Sequence, residues 1–169
     1  MTTERVQLYD GRGEPAGTAP RATMRTQNLC HGATAVVVLD PTGRIYVHRR
    51  TVTKDVYPGR YDFAAGGVLT AGEDPESAAA RELEEELGIA GVALTPVRIA
   101  RFTDDRTDYW GFCYHTVWDG PVHWQPDEVA WGDWWDVARL MRTLQTDPQI
   151  WMPDTVALLG SWVRARLRS

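Results

Sequence analysis

Residues 67–89 read GVLTAGEDPESAAARELEEELGI, and this stretch organises the rest of the chain. The pair Asp74-Pro75 predicts a helix start, because Asp caps free backbone N–H groups and proline is well tolerated at the first helical position. Good helix formers follow, and Gly88 stands where a glycine commonly ends a helix. The pattern therefore predicts a helix over residues 75–87.

Three glutamates of that helix, Glu82, Glu85 and Glu86, are spaced i, i+3 and i+4 and therefore share one face. Clustered carboxylates repel one another, and a hard divalent cation such as Mg²⁺ or Mn²⁺ removes the repulsion by binding their oxygens. The alternative interpretation is a solvated acidic face. Composition alone, however, does not account for the spacing of Arg81 or for the preceding Gly66-Gly67, whose backbone can approach a ligand and point a carbonyl at a metal.

The fixed positions of the stretch follow the pattern G-x5-E-x7-R-E-U-x-E-E-x-G-U, where U is apolar. This pattern resembles the Nudix box, the signature of hydrolases that cleave nucleoside diphosphates linked to another moiety. The resemblance implies a mixed α/β (α+β) fold, an α/β/α sandwich around a mixed sheet, and Mg²⁺-dependent hydrolysis of a phosphoanhydride bond. It also implies that the metal is held by Glu82, Glu85, Glu86 and the Gly66 carbonyl. The residues expected to support the box are Gly67, Glu73, Arg81 and Gly88, with Glu73 and Arg81 as an ion pair.

The group that takes a proton from the attacking water is left open, because members of the family differ in this respect. Glu85 and Glu82 within the box are two candidates, and Glu128 on a later loop is a third. The competing interpretation of Glu128 is an ordinary surface acid, since most Glu side chains are exposed.

Other segments resemble the isopentenyl-diphosphate-isomerase-like branch of the family. They are the N-terminal hairpin, Leu29-Cys30-His31, Arg49-Arg50, Lys54-Asp55, Tyr57-Pro58-Gly59 and Asp127 to Val129. The isomerase carries a catalytic Cys and two metal-binding His residues at positions that hold Gly66, Val68 and Met24 here. A mechanism requires its chemical groups in place, so the sequence predicts a hydrolase rather than the isomerase.

Arg50 and Lys54 match positions that contact diphosphate in the isomerase, which predicts a substrate-binding role for both. A planar guanidinium and a flexible ammonium suit phosphate oxygens, although solvated surface charge is the competing interpretation. His31 is expected to have a structural, hydrogen-bonding role because its metal-binding partners are missing. The tryptophans of residues 131–135 could stack on a base, but packing is the favoured interpretation.

The sequence does not identify the substrate. ADP-ribose enzymes of the family tend to carry a proline at the position that Thr103 occupies here. A non-catalytic nucleotide-binding or regulatory module is the alternative to an enzyme, and the complete box argues against it. The expected partner is therefore a small-molecule nucleotide or diphosphate.

The composition is that of one globular domain spanning residues 1–169, with the box at residues 67–89. A net charge of −5 argues against general nucleic-acid binding. No long apolar run or signal-like start is present, which predicts a cytoplasmic protein that does not contact the membrane. The two cysteines predict reduced thiols, and the N-terminal hairpin and eight tryptophans leave room for a homodimer.

Periodicity and turn residues predict the remaining elements. They are a hairpin over 4–19, helical turns over 20–27, strands over 33–39, 44–50, 61–65, 92–102 and 109–118, a mixed segment over 125–135, and helices over 136–144 and 154–167. Asp136 and Asp154 are expected to cap the last two helices. Alternation in the strand over 44–50 places Tyr46, His48 and Arg50 on one polar face, which is expected to look into a site.

Overall fold

The computed structural model describes residues 3–168 of the chain. The strands are β1 Arg5–Tyr9, β2 Pro15–Pro20, β3 His31–Leu39, β4 Ile45–Arg50, β5 Tyr61–Asp62, β6 Thr95–Thr103, β7 Asp108–Val117 and β8 Val129–Trp135. The helices are α1 Arg21–Thr26, α2 Pro75–Leu87, α3 Val137–Thr146 and α4 Pro153–Ala165, with 3-10 turns at Pro148–Ile150 and Arg166–Arg168. None of these helices is both long and apolar enough to cross a bilayer.

The strands form one curled, mixed sheet with β3 at its centre. Over its whole length β3 pairs in parallel with β7, from His31 opposite Tyr109 to Leu39 opposite Val117. On the far side of β7 lies the antiparallel β6, while β4 carries the antiparallel strands β5 and β8. The hairpin of β1 and β2 joins the sheet where Leu8 lies opposite His31.

Alternation of side chains along β3 divides the apolar core into two layers. One layer contains Val37 and Leu39 and is covered by α3 and α4. The other contains Val36 and Val38 and is covered by α2. Helices therefore lie on both faces of the sheet, which confirms the predicted α/β/α sandwich.

The helix predicted from residues 67–89 is present with the expected bounds and caps. Asp74 accepts a hydrogen bond from the Ser77 backbone N–H at 3.1 Å, and Gly88 ends the helix with a left-handed φ of 67°. The Asp136 side chain likewise caps α3 through the Arg139 backbone N–H, at 2.7 Å. These local signals were sufficient because each cap is formed by residues adjacent in sequence.

The predicted cap by Asp154 is wrong. Helix α4 begins at Pro153, its N-cap is Met152, and no side chain caps it. The Asp154 carboxylate lies inside the first turn and is buried, where it accepts a hydrogen bond from the Tyr109 hydroxyl at 2.6 Å. The proline one residue earlier shifted the helix start and left Asp154 facing the core.

Three other predictions need correction at the level of detail. The strand predicted over 61–65 pairs as a ladder only at Tyr61–Asp62, and the mixed segment over 125–135 contains strand β8. The polar face of β4 is mostly interior, because Tyr46 and His48 are buried and Arg50 alone of the three reaches a cavity. Burial lowers the pKa of His48 to about 3, so this imidazole is neutral.

Candidate active site

Helix α2 is held so that its acidic face borders a cleft. The apolar side chains Ala79, Leu83 and Leu87 are buried against the sheet and fix the rotation of the helix. The opposite side then presents its glutamates to a cleft of about 450 Å³, which we call the outer cleft. Its lining residues are Glu4, Arg21, Thr53, Lys54, Asp55, Gly66, Gly67, Val68, Arg81, Glu82, Glu85, Glu86, Asp127 and Glu128.

The glycine pair lies in contact with both β3 and α2. A Cβ atom on Gly66 would lie 1.9 Å from the Thr34 carbonyl oxygen, and one on Gly67 would lie 2.5 Å from the carboxylate carbon of Glu82. The Thr34 backbone N–H donates to the Gly67 carbonyl at 2.9 Å. A side chain at Gly66 would clash with the backbone of β3, whereas one at Gly67 would displace the Glu82 carboxylate from its place on the acidic face.

We expect Gly66→Ala to lower the free energy of unfolding by about 1–2 kcal/mol, because the backbone of β3 must shift to admit the methyl group. Urea denaturation measures this loss. Gly160→Ala is the matched control, since Gly160 lies in α4 and its Cβ would meet the nearest atom, on Val156, at 3.7 Å. That control should be neutral or stabilising by up to roughly 1 kcal/mol. Equal stability changes in the two variants would contradict the close approach.

Arg81 connects the loop before α2 to the acidic face of the helix. Its guanidinium donates to both carboxylate oxygens of Glu73, at 2.8 and 2.9 Å. It also donates to Glu82 Oε1 at 2.8 Å and to Glu85 Oε2 at 3.2 Å. Hydrogen bonding from Arg81 lowers the pKa of Glu73, so this pair is ionised and fixes the loop on the helix.

Of the three glutamates on the acidic face of α2, Glu86 is the one that forms no hydrogen bond or ion pair with Arg81. It is 6% exposed, and its carboxylate makes no hydrogen bond or ion pair within residues 3–168. Burial raises its pKa well above the ordinary value, and burial also raises the pKa of Glu82. A buried carboxylate without a hydrogen-bond partner is costly; Lys54 and Arg50 offset part of this cost, and a bound cation would offset more.

The donor set fits a hard divalent cation in chemistry and location, because it consists of carboxylates beside a backbone carbonyl. As they stand, the described side chains include no group of three or more Asp, Glu, His or Cys arranged around one ion. Arg81 explains this, since it draws Glu82 and Glu85 to itself. The residues that would hold the metal are Glu82, Glu85, Glu86 and the Gly66 carbonyl.

Glu128 lies across the outer cleft from α2 and forms an ion pair with Lys54. The Thr51 backbone N–H donates to the Glu128 carbonyl at 3.3 Å, which ties the two loops together. The structure thus brings a third predicted catalytic candidate, Glu128, and a predicted substrate-binding residue, Lys54, to the same cleft. Both charges lie close enough to Glu86 to act on its pKa, Lys54 lowering it and Glu128 raising it.

Cations gather beside the glycine pair. Arg21 and Arg25, one helical turn apart on α1, reach Asp55 at 3.7 and 3.1 Å. Arg50 donates to the Val56 carbonyl at 3.0 Å, while its buried Nε has no hydrogen-bond partner within residues 3–168. The sequence analysis missed Arg21 and Arg25, although their i, i+4 spacing on a short helix was a usable signal.

A second cavity of about 100 Å³, which we call the inner pocket, continues inward from the outer cleft. The two share Arg21, Lys54, Asp55, Gly66, Gly67 and Val68 as lining residues. The inner pocket also contains Asp62 and Asp154, which the sequence analysis did not select as site residues. No local pattern could have found them, because they meet only when β5 packs beside the start of α4.

Three other expectations concern residues near the site. The position of His31 fits the structural, hydrogen-bonding role expected from the sequence. Its Nδ1 lies 2.9 Å from the Leu29 carbonyl oxygen, and burial lowers the pKa of the imidazole to about 4. Gly88 lies at the far end of α2, against the His123 carbonyl. Of the segment 131–135, Trp131 packs on Tyr61 and Trp134 on Tyr46, and these tryptophans do not line the two cavities described above.

Comparison with solved structures defines the class of fold. The chain resembles DR0079 from Deinococcus radiodurans with a TM-score of 0.76 and 23% sequence identity, covering 96% of this chain and 98% of that one. It resembles the MutT protein from Methanosarcina mazei Go1 with a TM-score of 0.65 and 16% identity, covering 81% and 95%. These likenesses establish a MutT-like sandwich fold.

Sequence relatives narrow the class to a family. The model of the NUDIX domain matches residues 30–156. The Nudix hydrolase orf19 of Rhodococcus erythropolis is 43% identical over 157 residues, 86% of this chain and 83% of that protein. The Nudix hydrolase YfcD of Escherichia coli K12 is 44% identical over 129 residues, 76% and 72% of the two chains. The chain belongs to the Nudix hydrolase family, whereas its place in the isomerase-like branch stays a prediction.

Proposed function

We propose that the protein hydrolyses a phosphoanhydride bond in a nucleoside diphosphate derivative, with Mg²⁺ as the metal and Mn²⁺ as a substitute. The observation that carries this proposal is the buried, unpartnered carboxylate of Glu86, which faces the same cleft as Glu82, Glu85 and Glu128. A bound divalent cation would neutralise phosphate oxygens and lower the pKa of a water molecule.

The chain's own residues position the substrate. Arg50 and Lys54 lie on the inner side of the glycine pair, and Arg21 and Arg25 add two further positive charges there. Together they supply hydrogen-bond donors for a diphosphate, so that the anhydride would lie between the cations and the acidic face of α2. This arrangement favours positioning and charge stabilisation, which dominate phosphoryl transfer.

Three carboxylates remain candidates for the general base. Glu82 is partly buried and forms an ion pair with Arg81. Glu85 is exposed and forms an ion pair with the same arginine. Glu128 stands on the opposite wall with Lys54. A base must reach the water that attacks phosphorus and must be ionised at the working pH. The pH profiles of the three Glu→Gln variants separate the roles, because loss of the base removes the acidic limb of the profile.

The isomerase interpretation has little support in the structure. Neither Cys30 nor Cys113 lines the outer cleft or the inner pocket. Burial raises the pKa of Cys30 to about 11 and that of Cys113 to about 12, so both are protonated thiols at neutral pH. Absence of proton exchange on isopentenyl diphosphate is the expected result.

The test of the proposal is release of phosphate or nucleoside monophosphate from a panel of nucleoside diphosphate derivatives. We expect activity with Mg²⁺, none with EDTA, and a loss of roughly tenfold or more in kcat/KM for Glu85→Gln. Glu84→Gln is the matched control, because Glu84 is exposed on the same helix and does not line the cleft. Tight nucleotide binding without turnover on any substrate would instead identify a non-catalytic module.

Other expectations about context stay predictions. A cytoplasmic location, a small-molecule partner, no binding to nucleic acid and room for a homodimer are consistent with the composition. Gel filtration with light scattering measures the oligomeric state directly.

A further inference from the structure

The floor of the inner pocket is acidic, in contrast to its entrance. Asp62 and Asp154 line the cavity at its closed end, and both are buried, at 7% and 8% exposed. Arg21 and Lys54 line both this pocket and the outer cleft, whereas Arg25 and Arg50 line the inner pocket alone, and the charge of Arg50 acts to lower the pKa of both acids. A ligand that enters from the outer cleft therefore meets Arg21 and Lys54 first and reaches the acceptors of Asp62 and Asp154 deeper in the pocket, beside Arg50.

One acceptor of this floor has no partner. The Tyr109 hydroxyl donates to Asp154 Oδ2 at 2.6 Å, which leaves Asp154 Oδ1 buried and without a hydrogen bond from any described residue. A buried carboxylate oxygen without a donor is uncommon in folded proteins and points to a ligand that supplies one.

Two neighbouring groups add acceptors. Asp62 accepts a hydrogen bond from the Ala64 backbone N–H at 3.2 Å, and hydrogen bonding from Thr155 acts to lower its pKa. His31 also lines the pocket, and because its Nδ1–H is directed to the Leu29 carbonyl, its Nε2 carries the lone pair. Burial and the nearby Asp154 raise the pKa of Asp62 to about 7, so the two acids are close enough to oppose each other's ionisation.

The size of the pocket limits what can enter. At about 100 Å³, the inner pocket is less than a quarter of the size of the outer cleft, which has about 450 Å³. The inner pocket is the smaller and deeper of the two spaces open to a substrate. The nucleoside part of a substrate would therefore occupy the larger outer cleft, and only a small group could reach Asp154.

We propose that the inner pocket binds the group attached to the diphosphate and selects a short alkyl group that bears O–H or N–H donors, such as a polyol or an amino alcohol. This inference rests on the proposed function, since it places the anhydride on the cations at the pocket entrance. An alkyl group without donors would bury Asp154 Oδ1 against hydrocarbon and leave that oxygen unsatisfied. The pocket therefore rejects an apolar group of the same size.

The experiment is isothermal titration calorimetry in EDTA with two pairs of shape-matched diphosphate monoesters. The first pair is 2-aminoethyl and propyl diphosphate, and the second is 2,3-dihydroxypropyl and 2-methylbutyl diphosphate. We expect each donor-bearing ester to bind the wild-type protein at least about tenfold more tightly than its apolar counterpart. A preference in the first pair alone identifies an amine-bearing group, and a preference in the second alone identifies a polyol.

Asp154→Asn should reduce the preference to about threefold or less, because the amide offers a donor where the ligand needs an acceptor. Asp62→Asn serves as a second variant of the same floor, and thermal unfolding checks that each variant is folded. Asp119→Asn, in an exposed turn, is the control and should retain the full preference. Equal affinities within both pairs for the wild type, or a preference that survives both floor variants, would overturn the inference.

This outcome is separable from that of the proposed function. Binding in EDTA does not require hydrolysis, so a donor preference without turnover on any substrate would support the pocket and refute the enzymatic role. Hydrolysis of several substrates with no donor preference would support the enzymatic role and refute the proposed selectivity of the pocket.

Discussion

Replacing Glu86 with Gln is expected to remove at least about 99% of the Mg²⁺-dependent hydrolysis and, at the same time, to stabilise the protein in EDTA. The loss of activity follows from the position of Glu86, a buried carboxylate on the acidic face of α2 with no hydrogen bond or ion pair to Arg81. Removal of one preorganised charge at a phosphoryl-transfer site costs on the order of 100-fold or more in rate.

The gain in stability follows from the same burial. Folding without metal places the Glu86 carboxylate where no described residue donates a hydrogen bond to it, and burial raises its pKa. A neutral amide of the same shape avoids that desolvation cost, which we expect to raise the free energy of unfolding by about 1–2 kcal/mol. Steady-state kinetics with Mg²⁺ and thermal unfolding in EDTA measure the two effects.

Glu84→Gln isolates these effects from the general loss of one negative charge on α2. Its side chain is exposed and outside the cleft, so neither the rate nor the unfolding temperature should change appreciably. If Glu86→Gln kept wild-type activity, or if it unfolded more easily than wild type in EDTA, Glu86 would be a structural residue and the proposed metal site would be wrong.

The sequence predicted the part of the site that depends on local spacing. Helix α2 and its caps follow from Asp74, Pro75 and Gly88, and the shared face of the glutamates follows from helical geometry alone. The sandwich fold followed from the order of strands and helices and from the family resemblance. The helix, its caps and its acidic face are signals carried by residues within a few positions of one another, whereas the order of elements is read along the whole chain.

The inner pocket could not be predicted in this way. Asp154 reads as an ordinary helix cap, yet in the structure its carboxylate meets Tyr109 of β7 and lies near Asp62 of β5. These contacts join residues that are far apart in sequence, and only the packing of α4 against the sheet brings them together. The arginine network showed the same limit, since the family resemblance predicted the pair of Arg81 with Glu73 but not the further contacts of Arg81 with Glu82 and Glu85.

Asp62→Asn is expected to remove a loss in the free energy of unfolding that the wild-type protein undergoes as the pH rises. The pKa of Asp62 is raised from an ordinary value of 3.8 to about 7, chiefly by burial and then by Asp154. Between these two values the unfolded chain has released the proton while the folded protein still holds it. Stability from this group is therefore complete below about pH 4, falls as pH rises toward 7, and changes no further above that.

Two pH units within that window correspond to about 3 kcal/mol, so Asp62→Asn should gain about this much over wild type between pH 5 and pH 8. Urea denaturation of both proteins at the two pH values measures the difference. Other titrating groups, such as His48, are present in both proteins, so their contributions to the stability difference between the two proteins largely cancel. Asp119→Asn should track wild type at both pH values, because Asp119 is exposed. A stability difference between Asp62→Asn and wild type that is the same at pH 5 and pH 8 would show that Asp62 is ionised in the folded protein at both, and the floor of the inner pocket would then hold a fixed negative charge.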